Sequence, residues 1–183
     1  MHENKTVGIA FTLGFVVSLI VIPILFSDST TAAVGVSTTP AAAATVQVGG
    51  GNVTNPLFGY KPQAVNIKVG ETVLWYVKPQ APAEPHTVTF VFDNTTRLNG
   101  FLPSNERTFS PAIVDSNSIT KVYPPNASLT IIGTEKYVNS GWMFPAGPLP
   151  GSSSTFRVTF EKVGTYNYDC LLHPWMDGKV VVS

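Results

Sequence analysis

The amino-acid sequence predicts an all-β domain, an antiparallel β-sandwich, preceded by one N-terminal transmembrane helix. Short runs of β-branched and aromatic residues, separated by turn residues, recur through residues 45–183. Fifteen glycines and fifteen prolines favour turns and short strands over long helices. Residues 7–26 form an uncharged apolar stretch of the length that a membrane-spanning helix needs.

The N-terminal segment is predicted to be a membrane anchor. Residues 7–26 would reach ~30 Å as a helix, which is the thickness of the hydrocarbon core. Lys5 precedes them and the next Lys or Arg is Lys61, so the positive-inside tendency places residues 1–6 in the cytoplasm and the domain outside. We expect a single-pass protein of the cell membrane. The alternative is a cleaved signal peptide, which would make the domain secreted.

A linker is predicted between the anchor and the domain. Residues 27–44 are mostly small, with one charged residue and no aromatic residue, so they cannot form a hydrophobic core and should be flexible. The folded domain is therefore expected to occupy residues 45–183. Three sequons, at Asn52, Asn94 and Asn126, permit glycosylation on the exported side.

The strands of the domain follow from residue patterns. Val65, Ile67 and Val69 alternate with polar residues, which indicates a half-buried strand, and Gly70 provides the turn into the next one. Further strands are predicted, in chain order, at 72–77, 87–92, 155–160, 164–168 and 179–182, with weaker candidates at 45–48 and 128–132. Most of residues 93–154 shows no regular pattern, and we interpret this segment as an insertion.

Composition excludes several classes of function. The 11 basic and 11 acidic residues give a net charge of zero, which argues against a nucleic-acid partner. The single cysteine excludes an intrachain disulfide and zinc sites that need two or more cysteines. Because 44% of the residues are hydrophobic and only 12% are charged, the chain is not a disordered polyelectrolyte.

A metal-binding motif lies near the C-terminus. Cys170, His173 and Met176 follow a predicted strand with C-x2-H-x2-M spacing, and His86 stands at the start of another strand. Each residue alone is ordinary, since a lone cysteine is usually a small buried hydrophobe. Together they form a set of two His, one Cys and one axial Met, which is the ligand set of a blue-copper site. We therefore expect one copper ion bound by these four residues.

At these residues the chain resembles the small cupredoxins of the plastocyanin and amicyanin type. The matching stretches are 65–75, 85–90 and 155–182, which include all four candidate ligands. The resemblance implies a Greek-key sandwich, a type-1 copper bound by His86, Cys170, His173 and Met176, and single-electron transfer outside the cytoplasm. The implied partners are redox proteins, such as a membrane oxidoreductase, a cytochrome or a copper enzyme, and the domain is expected to be monomeric.

The sequence departs from this family in two respects. Family members often have Asn after the first histidine, bonded to a Ser or Thr after the cysteine, whereas Thr87 and Leu171 stand here. We expect this tie between the ligand segments to be missing or replaced, and the ligand loop to be looser. The 84 positions from His86 to Cys170 also exceed the spacing in small members, so residues 93–154 are expected to add strands or a loop, or to serve docking or spacing.

The expected function is an electron carrier and not an enzyme. Three histidines cannot supply the trinuclear cluster of a multicopper oxidase, and one cysteine cannot supply a binuclear electron-entry site. The main alternative is an extracytoplasmic copper carrier or storage protein, which would release its copper readily. A structural domain that merely kept the fold is disfavoured by the complete ligand set.

Overall fold

The computed structural model describes residues 41–93, 110–145 and 152–183, which all fall within one compact unit. The predicted anchor at 7–26, like most of the linker, lies outside these residues. Within the described ranges all of the regular structure is β, and no helix there is long and apolar enough to span a membrane.

Twelve strands form within the described ranges. They are β1 (Ala42–Asn52), β2 (Asn55–Lys61), β3 (Ala64–Ile67), β4 (Thr72–Tyr76), β5 (Thr89–Val91), β6 (Ala112–Val114), β7 (Thr120–Val122), β8 (Ser128–Ile131), β9 (Tyr137–Asn139), β10 (Thr155–Phe160), β11 (Gly164–Cys170) and β12 (His173–Val182).

The described strands form two sheets that enclose one main hydrophobic core, so the all-β sandwich is confirmed. One sheet has the order β2-β1-β4-β10-β8 and the other β3-β12-β11-β5-β9-β6-β7. The predicted antiparallel arrangement holds for seven of the ten strand pairs among the described residues. The other three differ, because β1 with β4, β8 with β10, and β3 with β12 pair in parallel. Parallel neighbours need a crossover connection, and here the chain visits other strands before it returns beside each partner.

The core illustrates how alternation along a strand fills the space between the sheets. Phe156, Val158 and Phe160 of β10 are fully buried, and the residues between them are partly exposed. Trp75 of β4 lies at the centre, with its ring centroid 5.3 Å from that of Tyr168. Such aromatic pairs add ~0.5–1.5 kcal/mol beyond the burial of their area, which favours a rigid sandwich beneath the site.

The predicted strands differ from the observed ones mainly near the candidate ligands. The strand at 155–160 is confirmed as β10, whereas the one predicted at 87–92 is limited to β5. The reason is that the backbone N–H groups of Thr87 and Val88 bond to side chains, Cys170 Sγ and Ser140 Oγ, and not to a neighbouring strand. These side-chain bonds replace the backbone hydrogen bonds between strands next to the candidate ligand His86.

The segment 93–154 contains more regular structure than its sequence pattern indicated. Strands β6, β7 and β9 each have three residues, which is too short for a period of two to be recognised. All three belong to the seven-stranded sheet, in which β9 pairs with β5 and β6 pairs with β9. The candidate at 128–132 is confirmed as β8, in the five-stranded sheet.

Candidate metal centre

The C-terminal motif lies on a hairpin between β11 and β12. Cys170 is the last residue of β11 and His173 the first of β12, and the two are register partners across a two-residue turn. The next pair is Asp169 with Asp177, so residues 174–176 form a three-residue bulge in β12. The strand predicted at 179–182 is longer than expected, because β12 already begins at His173 within the motif. Bulges re-aim side chains, and this one lets a regular hairpin present several donors at one end.

His86 reaches the same end of the sandwich from the segment before β5. Its backbone pairs with Met143, donating N–H to the Met143 carbonyl at 3.1 Å and accepting from the Met143 N–H at 2.8 Å. The side chain is only 3% exposed, and Nδ1 is buried without a hydrogen-bond partner among the described residues. An unpaired buried nitrogen is costly in a native fold, so this atom is suited to bind a metal.

The fold brings His86, Cys170 and His173 together. One donor atom from each lies within 4.8 Å of the other two, and Cys170 Sγ is 3.4 Å from His173 Nδ1. Cys170 is 1% exposed and His173 is half-buried. One thiol and two imidazoles at this spacing fit a copper ion, since soft sulfur suits Cu(I) and imidazole suits both oxidation states.

Both imidazoles are held in the neutral form that a metal requires. Burial, together with the neighbouring His173, lowers the pKa of His86 from 6.5 to about 4. Burial also lowers the pKa of His173, although the carboxylate of Glu84 opposes this shift. Neither ring therefore needs to lose a proton before it binds a metal at neutral pH.

The fourth predicted ligand, Met176, is 1% exposed and belongs to the buried cluster that contains Cys170. It follows His173 by three residues at the end of the bulge. Met143, fully buried and paired with His86 along the backbone, belongs to the same cluster. The assignment of Met176 as axial ligand stays a prediction.

Comparison with known proteins decides the family. Residues 44–183 match the model of the copper-binding proteins of the plastocyanin/azurin family. The chain belongs to this family. It is therefore a cupredoxin, and His86, Cys170 and His173 are arranged as a group that could hold one copper ion.

Two curated relatives match a short part of this cupredoxin. Amicyanin-alpha of Methylorubrum extorquens is 53% identical over 37 residues, which are 20% of this chain and 31% of the relative. Amicyanin of Paracoccus denitrificans is 46% identical over 37 residues, which are 20% of this chain and 28% of the relative. The matches thus span about a third or less of each relative.

The solved structures to which this chain is similar have low sequence identity to it. Amicyanin from Paracoccus versutus is 23% identical with a TM-score of 0.44, and the match covers 79% of this chain and 85% of that one. A purple cupredoxin from Nitrosopumilus maritimus is 23% identical with a TM-score of 0.37, and the match covers 76% of this chain and 99% of that one.

Thr87 connects the two ligand segments of the cupredoxin. Its backbone N–H donates to Cys170 Sγ at 3.3 Å, and its Oγ1 accepts from the Leu171 N–H at 2.9 Å. The tie expected to be missing or replaced is thus replaced by a hydroxyl-to-backbone bond. The expectation of a looser ligand loop is not supported, because a buried and a partly buried hydrogen bond join the two segments.

Phe58 is a site residue that the sequence did not reveal. It lies on β2, and its ring centroid is 4.7 Å from that of His173, at an interplanar angle of 36°. The ring of Trp175 contacts both of these rings. Its centroid is 5.6 Å from that of His173 and 6.2 Å from that of Phe58. Strand β2 was not predicted, since Pro56 and Gly59 interrupt its pattern, so no signal pointed to Phe58.

Gly49 lets β1 approach the ring of His86 closely. Its φ is +59°, and a Cβ placed there would lie 2.2 Å from His86 Nε2, where no side chain fits. The available signal was the run of three glycines at 49–51, at the β-bulge between Val48 and Gly50. The bulge therefore places bare backbone against the ligand.

Gly49→Ala is expected to displace His86 and to weaken copper binding by at least tenfold, because the new methyl group would overlap the imidazole. The measurement is a copper-affinity titration with the visible spectrum as readout. Gly70→Ala is the matched control: Gly70 has φ of +82° and nothing within 4 Å of an added Cβ, so it adds backbone strain without contact. Equal affinities of the two variants would show that Gly49 does not position His86.

Proposed function

We propose that this cupredoxin is a type-1 blue copper electron carrier and that His86, Cys170, His173 and Met176 are its copper ligands. The observation that supports this best is the convergence of one buried thiol and two imidazole nitrogens within 4.8 Å. When bound, copper supplies a one-electron couple between Cu(II) and Cu(I). The residues of the chain hold the donors in place and keep water away.

Enclosure of the donors favours electron transfer over substrate chemistry. Cys170 and Met176 are each 1% exposed and His86 is 3% exposed, so a substrate has no access to the metal from their side. The hydrogen bonds of Thr87 and the backbone pairing of His86 fix the donors in position. A site that hardly changes shape between oxidation states exchanges electrons with little rearrangement, and we therefore propose no enzymatic activity.

Electrons are proposed to enter and leave at the His173 side of the site. His173 is half-buried, and the large aromatic side chain of Trp175 beside it is 66% exposed. Together with Phe58 it presents an apolar surface to which a redox protein can dock. The proposed partners are a membrane oxidoreductase, a cytochrome or a copper enzyme.

We propose that the domain works at the outer face of the cytoplasmic membrane. The support is in the sequence: an uncharged stretch at 7–26, preceded by Lys5 and followed by no Lys or Arg before Lys61. If that stretch is a signal peptide and is cleaved, the domain is secreted instead.

The copper-loaded protein is expected to undergo repeated one-electron reduction and oxidation without losing its metal. The experiment cycles the protein with an inorganic reductant and oxidant in the presence of a Cu(I) chelator, while absorbance and bound copper are recorded. An electron carrier loses its colour on reduction and regains it fully on oxidation. Transfer of the copper to the chelator within one cycle would instead favour the alternative, a copper carrier or storage protein.

A further inference from the structure

We propose that Thr89 and Asn139 are positioning residues for the copper ligands, acting through a buried chain of hydrogen bonds that ends at Thr87. This inference rests on the proposed function, because its effect is on the copper–thiolate bond. It also gives a role to β9, the strand of segment 93–154 that pairs with β5.

The chain of hydrogen bonds is continuous from β9 to the ligand hairpin. Asn139 Nδ2 donates to Thr89 Oγ1 at 2.8 Å, and the hydroxyls of Thr89 and Thr87 lie 2.9 Å apart. Thr87 Oγ1 then accepts from the N–H of Leu171, the residue that follows Cys170. Each link is a hydrogen bond of ordinary length, so displacement at one end is transmitted to the other.

Burial makes this chain of hydrogen bonds rigid. Thr87 is fully buried, Thr89 is 1% exposed and Asn139 is 4% exposed. Water cannot replace a lost partner there, so each hydroxyl or amide stays with its neighbour in the fold. Sheet register supports the arrangement, since Thr89 is the direct partner of Asn139 on β9 and of Asp169 on β11.

The orientation of the Asn139 amide is fixed as well. Its Oδ1 accepts from the Gly141 N–H, so its Nδ2 must face Thr89 and Tyr137, whose hydroxyl accepts at 3.0 Å. Three of its four hydrogen-bonding positions are thus filled inside the protein. The amide is a fixed donor, and it sets where the Thr89 hydroxyl lies.

The chain of hydrogen bonds acts on copper through Thr87, which is bonded to both ligand segments. The Thr87 N–H donates to Cys170 Sγ at 3.3 Å, and this bond withdraws electron density from the sulfur. Electron donation from the thiolate stabilises Cu(II) more than Cu(I). When the hydrogen bond reduces this donation, Cu(II) is destabilised relative to Cu(I), so the bond raises the reduction potential. Loosening Thr87 weakens the bond, and the potential is expected to fall.

Thr89→Val tests the inference, because valine keeps the shape of threonine and removes its hydroxyl. The one-electron equilibrium is expected to shift at least threefold toward Cu(II), which is about 28 mV at ~59 mV per tenfold. The thiolate-to-copper absorption band is expected to shift as well. Thr89→Ser, which keeps the hydroxyl, should restore both readouts.

Thr72→Val is the matched control. Thr72 is also 1% exposed, and its hydroxyl pairs with that of Thr159 at 2.8 Å in the other sheet. It should lower stability as Thr89→Val does, with no change in potential or spectrum. Should Thr89→Val not fold, Asn139→Ala removes the next link and is expected to shift the equilibrium in the same direction.

The outcomes separate this inference from the proposed function. A wild-type protein that gives no intense absorption with copper would contradict the proposed function itself. A blue wild-type protein whose potential and spectrum are the same in Thr89→Val, Asn139→Ala and Thr72→Val would overturn the positioning role alone.

Discussion

Cys170→Ser is expected to abolish the blue colour of the copper-loaded protein. The intense absorption of a type-1 site arises from charge transfer out of the cysteine thiolate, and a serine hydroxyl cannot supply it. Cys170 is 1% exposed and serine is nearly the same size, so the sandwich should remain folded. The measurement is the visible spectrum after copper loading, with far-ultraviolet circular dichroism to confirm the fold.

Met176→Leu is the matched control for this prediction, since Met176 is equally buried. As a weak axial ligand it contributes little to the colour, so the variant should stay blue. Loss of a thioether that stabilises Cu(II) should raise its reduction potential. Blue colour that persists in Cys170→Ser would contradict the ligand assignment, and a potential in Met176→Leu that falls or stays constant would exclude Met176 as axial ligand.

The copper-free protein is expected to lose about 3 kcal/mol of stability between pH 6.5 and pH 4 through His86 alone. Burial lowers the pKa of His86 to about 4 in the folded state, whereas the unfolded chain keeps the ordinary value of 6.5. In that interval the unfolded chain binds the proton and the folded chain does not. The stabilisation is therefore complete above pH 6.5 and is lost as the pH falls toward 4.

The measurement is the free energy of unfolding by denaturant at several pH values, without copper. His86→Gln, which does not titrate in this range, provides the comparison and leaves the contribution of the carboxylates unchanged. The free energy of unfolding of the wild type minus that of His86→Gln should fall steadily as the pH is lowered. A difference independent of pH would mean that His86 is not desolvated in the copper-free fold.

The sequence could point to the candidate donors because three of the four lie within seven residues, and the structure brings Cys170 and His173 together with His86. A Cys–His–Met spacing in a short segment restricts where its side chains can go, and the strand pattern predicted His86 at the start of a strand, just ahead of the observed β5. The fold class was predictable because buried and partly exposed residues alternate in strands such as β10, and this alternation is visible in the order of apolar and polar residues.

Contacts between distant segments could not be predicted in this way. The approach of Gly49 to His86 and the tilted ring contact between Phe58 and His173 depend on how β1 and β2 are placed relative to the candidate ligands. The bond from Asn139 to Thr89 likewise depends on the register of β9 against β5. Register is a property of two strands together, and a three-residue strand carries too little pattern to define it.

The parallel strand pairs have a consequence for the order in which the protein acquires its site. Strand β12, which begins with His173, pairs with β3, and Gly49 on β1 closes over His86, so the site draws on both ends of the folded domain. Contacts of such high contact order form slowly, because the entropy of closing a long loop is lost before they are made. Metal capture at this site is therefore expected to follow completion of the topology, so that the colour of bound copper would report that the described strands have reached their native arrangement.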